Sequence, residues 1–141
     1  MRPRRLAVAA SLGAVILPAI ASEDPSAPTG ETVTLVFQQA IPNIPGKTLA
    51  ANIVDYAPGG KSVPHRHAAS AVIYAHVLSG AVRSQVDDGP ARIYRTGDNW
   101  FEAPGSHHRV SENASATEPA RLLAVFVADE GDRPLTTPDP D

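Results

Sequence analysis

Short apolar runs separated by turn residues fill the middle of the chain, from residue 31 to residue 128. Within the runs, β-branched and aromatic side chains recur, and glycine, proline, asparagine and aspartate stand between them at close spacing. No stretch keeps a helical period for longer than two turns. These features predict strands over residues 33–39, 48–56, 72–78, 81–86, 91–94, 99–102, 108–111 and 121–128. The pattern therefore predicts an all-β sandwich or barrel.

The first 21 residues have the pattern of a secretory signal peptide. Three arginines precede an apolar run over residues 6–20, and Ala-Ile-Ala at residues 19–21 offers a small-x-small cleavage site. A membrane anchor is the alternative, but the run has about 15 residues and contains a proline, whereas a spanning helix needs about 20. We expect an exported protein, periplasmic or extracellular, and the adjacent arginines leave both Sec and twin-arginine export open.

Two polar segments flank the predicted domain, which covers residues 31–128. Residues 22–30 (SEDPSAPTG) are small and proline-rich, and we expect a flexible linker there. Residues 129–141 (DEGDRPLTTPDPD) are acidic and contain three prolines, a composition that predicts a solvated, disordered tail. At 141 residues the chain has room for one domain with a core of its own.

Charge and cysteine content narrow the range of ligands and partners. The chain has 12 basic and 15 acidic residues, and without the three leader arginines the balance is 9 against 15, or −6. This acidic balance argues against nucleic acid and anionic lipid as partners. The chain contains no cysteine, so a metal ion would have nitrogen and oxygen ligands. It also contains no GxSxG motif and no glycine-rich phosphate loop.

Four of the five histidines fall in two groups, His65-Arg66-His67 and His107-His108. Residues two apart on a strand face the same side, so His65 and His67 can present both imidazoles to one point. A third imidazole from a neighbouring strand would complete a metal site. A lone HxH pair is more often part of a polar surface strand, but the second histidine pair and the glycines around both pairs favour the metal site.

The glycine and histidine spacings resemble the two motifs of the cupin superfamily. The first motif is matched by Gly59, five residues, His65-x-His67 and a closing Gly80. The second is matched by Gly97, five residues, Ala103-Pro104-Gly105, two residues and His108, with Ala103 where the family usually has proline.

This resemblance implies a double-stranded β-helix, or jelly-roll, barrel with one divalent transition metal ion. It makes His65, His67 and His108 the metal ligands, with His107 as the substitute if the loop register differs by one residue. Imidazole binds Fe, Ni, Zn, Cu and, with oxygen donors, Mn, so the spacing leaves the metal's identity open among these five.

The chain departs from the family pattern at one position. Cupins usually have a glutamate between the HxH pair and the closing glycine, but the spacing places Ile73 there. Without a carboxylate, the site either resembles the three-histidine sites of thiol dioxygenases in the same superfamily or binds metal poorly. Glu102, just before the second motif's turn, is a candidate replacement, although a residue at a strand end is more often solvated.

Three other residues are candidates for a place at the site. His76 lies on the same strand as Ile73, but alternation places it on the opposite face unless a bulge intervenes. Gln85 could hydrogen-bond a metal-bound water or substrate, with an exposed amide as the alternative. Trp100 could cover the metal from solvent, with core packing as its more common role.

Arg83 and Arg109 could attract an anionic substrate if they face the cavity, but solvated strand faces explain both.

The resemblance leaves three functions open. The first is a metal-dependent enzyme that acts on a small molecule, dioxygenase-like or decarboxylase-like. The second is a non-catalytic module that binds or senses a small ligand or metal, which the missing glutamate favours. The third is a vestigial site in a barrel with a structural role. Cupins often pair through sheet edges, so a homodimer is also expected.

Overall fold

The computed structural model describes residues 29–140, so the predicted signal peptide and most of the predicted linker lie outside the described residues. Ten strands form this part of the chain: β1 (Glu31–Ala40), β2 (Lys47–Tyr56), β3 (His65–His67), β4 (Val72–Ser79), β5 (Ala81–Val86), β6 (Arg92–Arg95), β7 (Asn99–Glu102), β8 (His107–Asn113), β9 (Ala120–Asp129) and β10 (Thr136–Pro138). Among residues 29–140 there is no helix long and apolar enough to span a membrane.

The strands form two five-stranded antiparallel sheets, in the orders β1-β2-β9-β4-β7 and β10-β3-β8-β5-β6. The chain passes from the first sheet to the second at Gly80, between β4 and β5. Gly80 has φ +72°, and a Cβ there would lie 2.5 Å from the carbonyl oxygen of Pro119. Only glycine fits such a position without strain. The two sheets confirm the predicted all-β jelly-roll architecture.

The core lies between the two sheets and follows the alternation of the longer strands. In β9, Leu122, Ala124 and Phe126 face inward, and their neighbours along the strand are more exposed. Burial of a leucine or phenylalanine side chain stabilises the fold by about 1.5–3 kcal/mol. Ala50, Ala71 and Ala128 are also buried. Part of the interior is left unfilled where the small side chains of Ala75 and Ala124 face inward, and this space is the cavity described below.

Eight of the ten strands were predicted from the pattern, each with ends within two residues of those in the structure. The two short strands, β3 and β10, were not among them. A three-residue strand is too short to show alternation, and β3 lies between turn-forming residues.

The C-terminal segment differs from the disordered tail that its composition predicts. Its β10 pairs with β3, with Thr136 opposite His67 and Pro138 opposite His65. Leu135 packs against the core, and the Asp139 amide donates a hydrogen bond to the carbonyl of Pro64 (2.8 Å). The segment is ordered because it satisfies the free edge of β3, an interaction that local composition does not reveal.

Candidate metal centre

Three buried imidazoles meet inside the barrel. His65 and His67 lie on β3 with Arg66 pointing outward between them, and His108 on β8 lies directly opposite His65. One ring nitrogen of each imidazole lies within 4.8 Å of the others. All three residues are at most 9% exposed, so the cluster is shielded from bulk solvent. The structure thus brings together the three histidines that the family resemblance selects.

Neighbouring oxygens hold two of the rings in place. His65 Nδ1 lies 2.8 Å from the Val63 carbonyl, and because a carbonyl can only accept, Nδ1 carries the proton and Nε2 keeps its lone pair. His108 Nε2 lies 2.8 Å from Ser84 Oγ, which leaves Nδ1 as its other available nitrogen. Such outer partners fix the orientation of metal-ligating imidazoles.

His67 supplies the observation that most favours a metal ion. Its Nδ1 lies 3.4 Å from the Leu135 carbonyl and from Thr136 Oγ1, both contributed by the C-terminal segment. Its Nε2 lies 3.0 Å from Glu102 Oε2, but the two atoms are not aligned for a hydrogen bond. Within residues 29–140, this Nε2 is the buried side-chain atom that lacks a hydrogen-bond partner. A buried nitrogen without a partner is costly. A metal ion would satisfy it, so the donor set fits a metal.

Glu102 is part of this cluster. Its position at a strand end suggested exposure to solvent, but the residue is buried. It is 2% exposed and lies directly opposite Ile73, because β7 pairs with β4. Its carboxylate accepts hydrogen bonds from the Trp100 indole (2.9 Å) and the Ser106 hydroxyl (3.3 Å). The missing glutamate at Ile73 is therefore replaced in space by a carboxylate on the adjacent strand.

The surroundings of the cluster favour neutral His65 and His108 beside an ionised Glu102. Burial lowers the pKa of His65 and, together with positive charge on the neighbouring imidazoles, lowers the pKa of His108 to about 4. Burial by itself raises the pKa of Glu102, but the contact with His67, the charge on His108 and the Trp100 indole outweigh it and lower the pKa to about 2. These are the protonation states that metal ligands require.

Trp100 packs in the core, which is the more common of the two roles that the sequence left open. It is 8% exposed and packs in the core against Tyr94, with ring centroids 4.5 Å apart. Its ring also lies 6.3 Å from that of His108, and its indole holds Glu102.

His76 and Gln85, two of the candidate site residues, lie away from the cluster. His76 is on the outer face of β4, as alternation predicts, and stacks on Tyr74 (ring centroids 6.1 Å apart). Gln85 donates a hydrogen bond to the Gly89 carbonyl (3.0 Å) in the turn after β5, so the suggested role beside the metal is wrong for this residue.

His107 also points away from the cluster. Its Nε2 lies 2.7 Å from Asp139 Oδ2 in the C-terminal segment. The loop register therefore places His108 at the cluster, and the substitution of His107 for it is wrong.

The cluster opens into a cavity of about 500 Å³ between the sheets. Its walls are mostly apolar, formed by side chains that include Val54, Ile73, Leu122, Ala124, Phe126 and Leu135. The lining also has a polar region that the sequence did not predict, formed by Tyr56, Ser62, Ser111 and Glu31.

The alternation of β7 contained a usable signal for Glu102, because an inward Trp100 places Glu102 on the same side.

Comparison with known proteins places this geometry in a family. The family model for the cupin domain, Cupin_2, matches residues 52–126. A cupin-domain-containing oxidoreductase, fogC, of Aspergillus ruber is 32% identical over 77 residues, which cover 55% of this chain and 37% of that protein. This chain therefore matches much less than two thirds of that relative.

Solved structures share the fold. A recombinant oxalate oxidase in complex with glycolate superposes with TM-score 0.61 at 24% identity, over 80% of this chain and 57% of that one. A double-stranded β-helix protein from Klebsiella pneumoniae gives TM-score 0.58 at 18% identity, over 71% and 78% of the two chains. At these identities the likeness shows the fold alone. With the family model matching more than half of its residues, the chain belongs to the cupin family.

Proposed function

We propose that the protein is an exported metal-dependent cupin that acts on a small molecule, with His65, His67 and His108 as ligands of one divalent transition metal ion. The convergence of three buried imidazole nitrogens within 4.8 Å carries this proposal. Nitrogen donors and one nearby carboxylate suit Fe, Mn, Ni, Zn and Cu. A bound ion of this class would supply Lewis-acid polarisation of an oxygen atom on the ligand.

The test of the metal site is the metal content of the purified protein. Wild type and the His65→Ala/His67→Ala double variant are compared by plasma mass spectrometry, with His76→Ala as a histidine control outside the cluster. About one metal ion per chain in wild type and in the control, and none in the double variant, supports the site. Equal and negligible metal in all three would contradict it.

We propose that Glu102 supplies the carboxylate of this site. Two donors, Trp100 and Ser106, hold its oxygens, and burial among histidines keeps it close to His67 and His108. A fixed carboxylate partly neutralises the charge of a divalent ion and can accept a proton from a ligand. The apolar walls of the cavity exclude water and so strengthen these interactions.

Among the functions that the sequence left open, an oxidoreductase is the one we favour. The Aspergillus ruber relative is described as an oxidoreductase, and the argument for a non-catalytic module was the absence of an acid near the histidines. Glu102 removes that argument because it is a buried carboxylate in contact with two of them. Substrate-dependent oxygen uptake by the metal-loaded protein would support the enzyme, whereas tight ligand binding without turnover would support a binding or sensing module.

We propose export on the basis of residues 1–21, which have the arginine-rich start, apolar run and cleavage site of a signal peptide. The expected mature protein begins at Ser22 and is found in the periplasm or outside the cell. Mass spectrometry of the N-terminus in each cell fraction tests this. An uncleaved chain in the membrane fraction would favour the anchor.

We also propose that two copies associate through β1, which is the edge strand of its sheet. Val33, Leu35, Val36 and Phe37 are each more than half exposed, and no charged residue occurs from Thr32 to Ile44. These four side chains leave apolar surface in water along the whole edge strand. An uncovered, uncharged edge favours pairing with another strand, and antiparallel β1–β1 pairing would continue the sheet symmetrically.

Light scattering on the purified protein tests this association. We expect a dimer for wild type and a monomer for Phe37→Lys, because a buried lysine opposes edge pairing. A wild-type monomer at tens of micromolar would contradict the proposal.

A further inference from the structure

A line of hydrogen-bonded side chains forms a second polar region in the cavity, apart from the metal ligands. Tyr56 Oη lies 2.7 Å from Ser111 Oγ and 2.7 Å from Ser62 Oγ, and the Ser62 hydroxyl donates to Glu31. All four side chains line the cavity. We call Ser111, Tyr56 and Ser62, ending at Glu31, the hydroxyl chain.

The donors of the hydroxyl chain can be assigned one by one. A carboxylate only accepts, so the single proton of Ser62 is used on Glu31. The bond between Ser62 and Tyr56 therefore needs the Tyr56 proton, and the bond between Tyr56 and Ser111 needs the Ser111 proton. Every hydroxyl proton points toward Glu31. The hydroxyl chain itself therefore offers a ligand acceptor capacity on oxygen and no donor.

Tyr56 keeps its proton under ordinary conditions. Burial raises the pKa of Tyr56 to about 12, against the opposing effect of its hydrogen bonds with Ser111 and Ser62. The direction of the hydroxyl chain is therefore stable across the physiological pH range.

The charges around the cavity also disfavour an anionic ligand. Its lining within the described residues includes two carboxylates, Glu31 and Glu102, and no lysine or arginine. Arg83 and Arg109 form ion pairs with Glu112 (2.8 Å) and Asp88 (3.1 Å) and do not line the cavity. A buried anion without a paired cation is costly. A divalent ion at the histidines would only balance the two carboxylates already present.

We propose that the cavity binds an uncharged, largely apolar molecule that donates a hydrogen bond from a hydroxyl group to the hydroxyl chain. This inference rests on the proposed function in one respect: an oxygen atom of the same molecule is the group presented to the metal ion. The substrate class is therefore a neutral alcohol or phenol, and small carboxylates are disfavoured. The apolar walls contribute most of the contact area.

The test uses the full mature chain loaded with zinc, which has no redox chemistry and so leaves the probes unchanged. Binding of benzyl alcohol, benzaldehyde and benzoate is measured by calorimetry. The three probes share one ring and differ in carrying a neutral donor, a neutral acceptor and an anion. We expect benzyl alcohol to bind most tightly and benzoate roughly tenfold more weakly or worse, which corresponds to the loss of one hydrogen bond and unpaired burial of charge.

Variants test two points separately: the hydrogen bond from the ligand to the hydroxyl chain, and the discrimination against anions. Tyr56→Phe keeps the ring and removes the central hydroxyl, and Ser111→Ala removes the first; each should weaken benzyl alcohol binding at least about threefold and leave benzaldehyde unchanged. Glu31→Gln should tighten benzoate binding relative to wild type, whereas Glu118→Gln, outside the cavity, should not. Circular dichroism checks that each variant is folded.

The outcomes distinguish this inference from the proposed function. Benzoate binding as tight as benzyl alcohol binding would overturn the inference, and so would unchanged alcohol binding in both hydroxyl variants. Failure to load zinc would exclude zinc as the ion at the histidines and would not bear on the inference. In that case the metal-free protein should still prefer benzyl alcohol to benzoate, and the reverse preference would overturn the inference independently.

Discussion

The proposed metal centre has a histidine side and a carboxylate side, and the sequence encodes the two sides differently. The histidine side comes from β3 and β8, where His65, His67 and His108 stand at the spacings of two family motifs. The carboxylate side comes from β7, where Glu102 lies opposite Ile73, the position that the motif reserves for glutamate. Strand pairing places the two positions side by side although they are 29 positions apart in sequence. A ligand set is therefore a property of neighbouring positions in the sheet.

Removal of the histidine side should have the largest effect. In His65→Ala/His67→Ala two of three imidazoles are lost, and metal affinity should fall by more than about a thousandfold, because each ligand contributes several kcal/mol. Metal titration against a competing chelator measures this. His76→Ala should bind metal like wild type, and comparable loss in that control would indicate a global defect.

Removal of the carboxylate side should have a smaller effect. Glu102→Gln keeps the shape of the side chain and removes its charge, so metal affinity should fall about 10–100-fold, as for other groups that support metal ligands. The same titration measures it, with Glu118→Gln as the matched control. Wild-type affinity in Glu102→Gln would exclude Glu102 from the site.

Exchange of the two paired positions sharpens the comparison most directly. In Ile73→Glu/Glu102→Ile the carboxylate returns to the motif position on β4, and metal affinity should recover to within about tenfold of wild type. Glu102→Ile alone should bind at least as weakly as Glu102→Gln. If the double variant binds no better than Glu102→Ile, the two positions are not equivalent.

Acid should destabilise the metal-free protein, because the buried imidazoles of His65 and His108 resist protonation in the folded state. The pKa of His108 is lowered to about 4 and that of His65 is also lowered, so between pH 6.5 and pH 4 the unfolded state binds more protons than the folded state. Stability therefore falls as pH falls through this window, by at most about 1.4 kcal/mol per pH unit for each group. Urea unfolding at several pH values tests this; constant stability from pH 6.5 to 4 would contradict it.

The hydrogen bond from Trp100 to Glu102 should have the smallest effect. Trp100→Phe keeps an aromatic ring in the core and removes the indole N–H, so Glu102 loses one donor and metal affinity should fall about threefold. Combined with Glu102→Gln, the substitution should have no further effect on metal binding. Additive losses would indicate that Trp100 acts through packing.

Much of the fold follows from alternation, and the parts that do not are those decided by distant contacts. The eight longer strands have at least four residues each, and β9 shows the alternation of an inward and an outward face most clearly. The strand β10 could not be predicted, because Thr136 and Pro138 are ordered by the free edge of β3, which is about 70 residues away in sequence.

The candidate site also has a part that could be predicted from the sequence and a part that depends on distant contacts. Convergence of His65, His67 and His108 was expected from the family spacing, and the structure brings the three together. The burial of Glu102 and the contacts of His67 with the C-terminal segment depend on which strands become neighbours. Linear spacing carries no information on that point until the sheet order is known.

The pairing of Ile73 with Glu102 also has an evolutionary consequence. Two paired positions that line the same cavity as the histidine cluster allow a carboxylate to appear at one before it is lost from the other. A lineage could thus pass through an intermediate with glutamate at both positions without ever losing its site. Genome surveys that require the motif glutamate would miss such descendants, whereas a pattern written in cross-strand pairs would retain them.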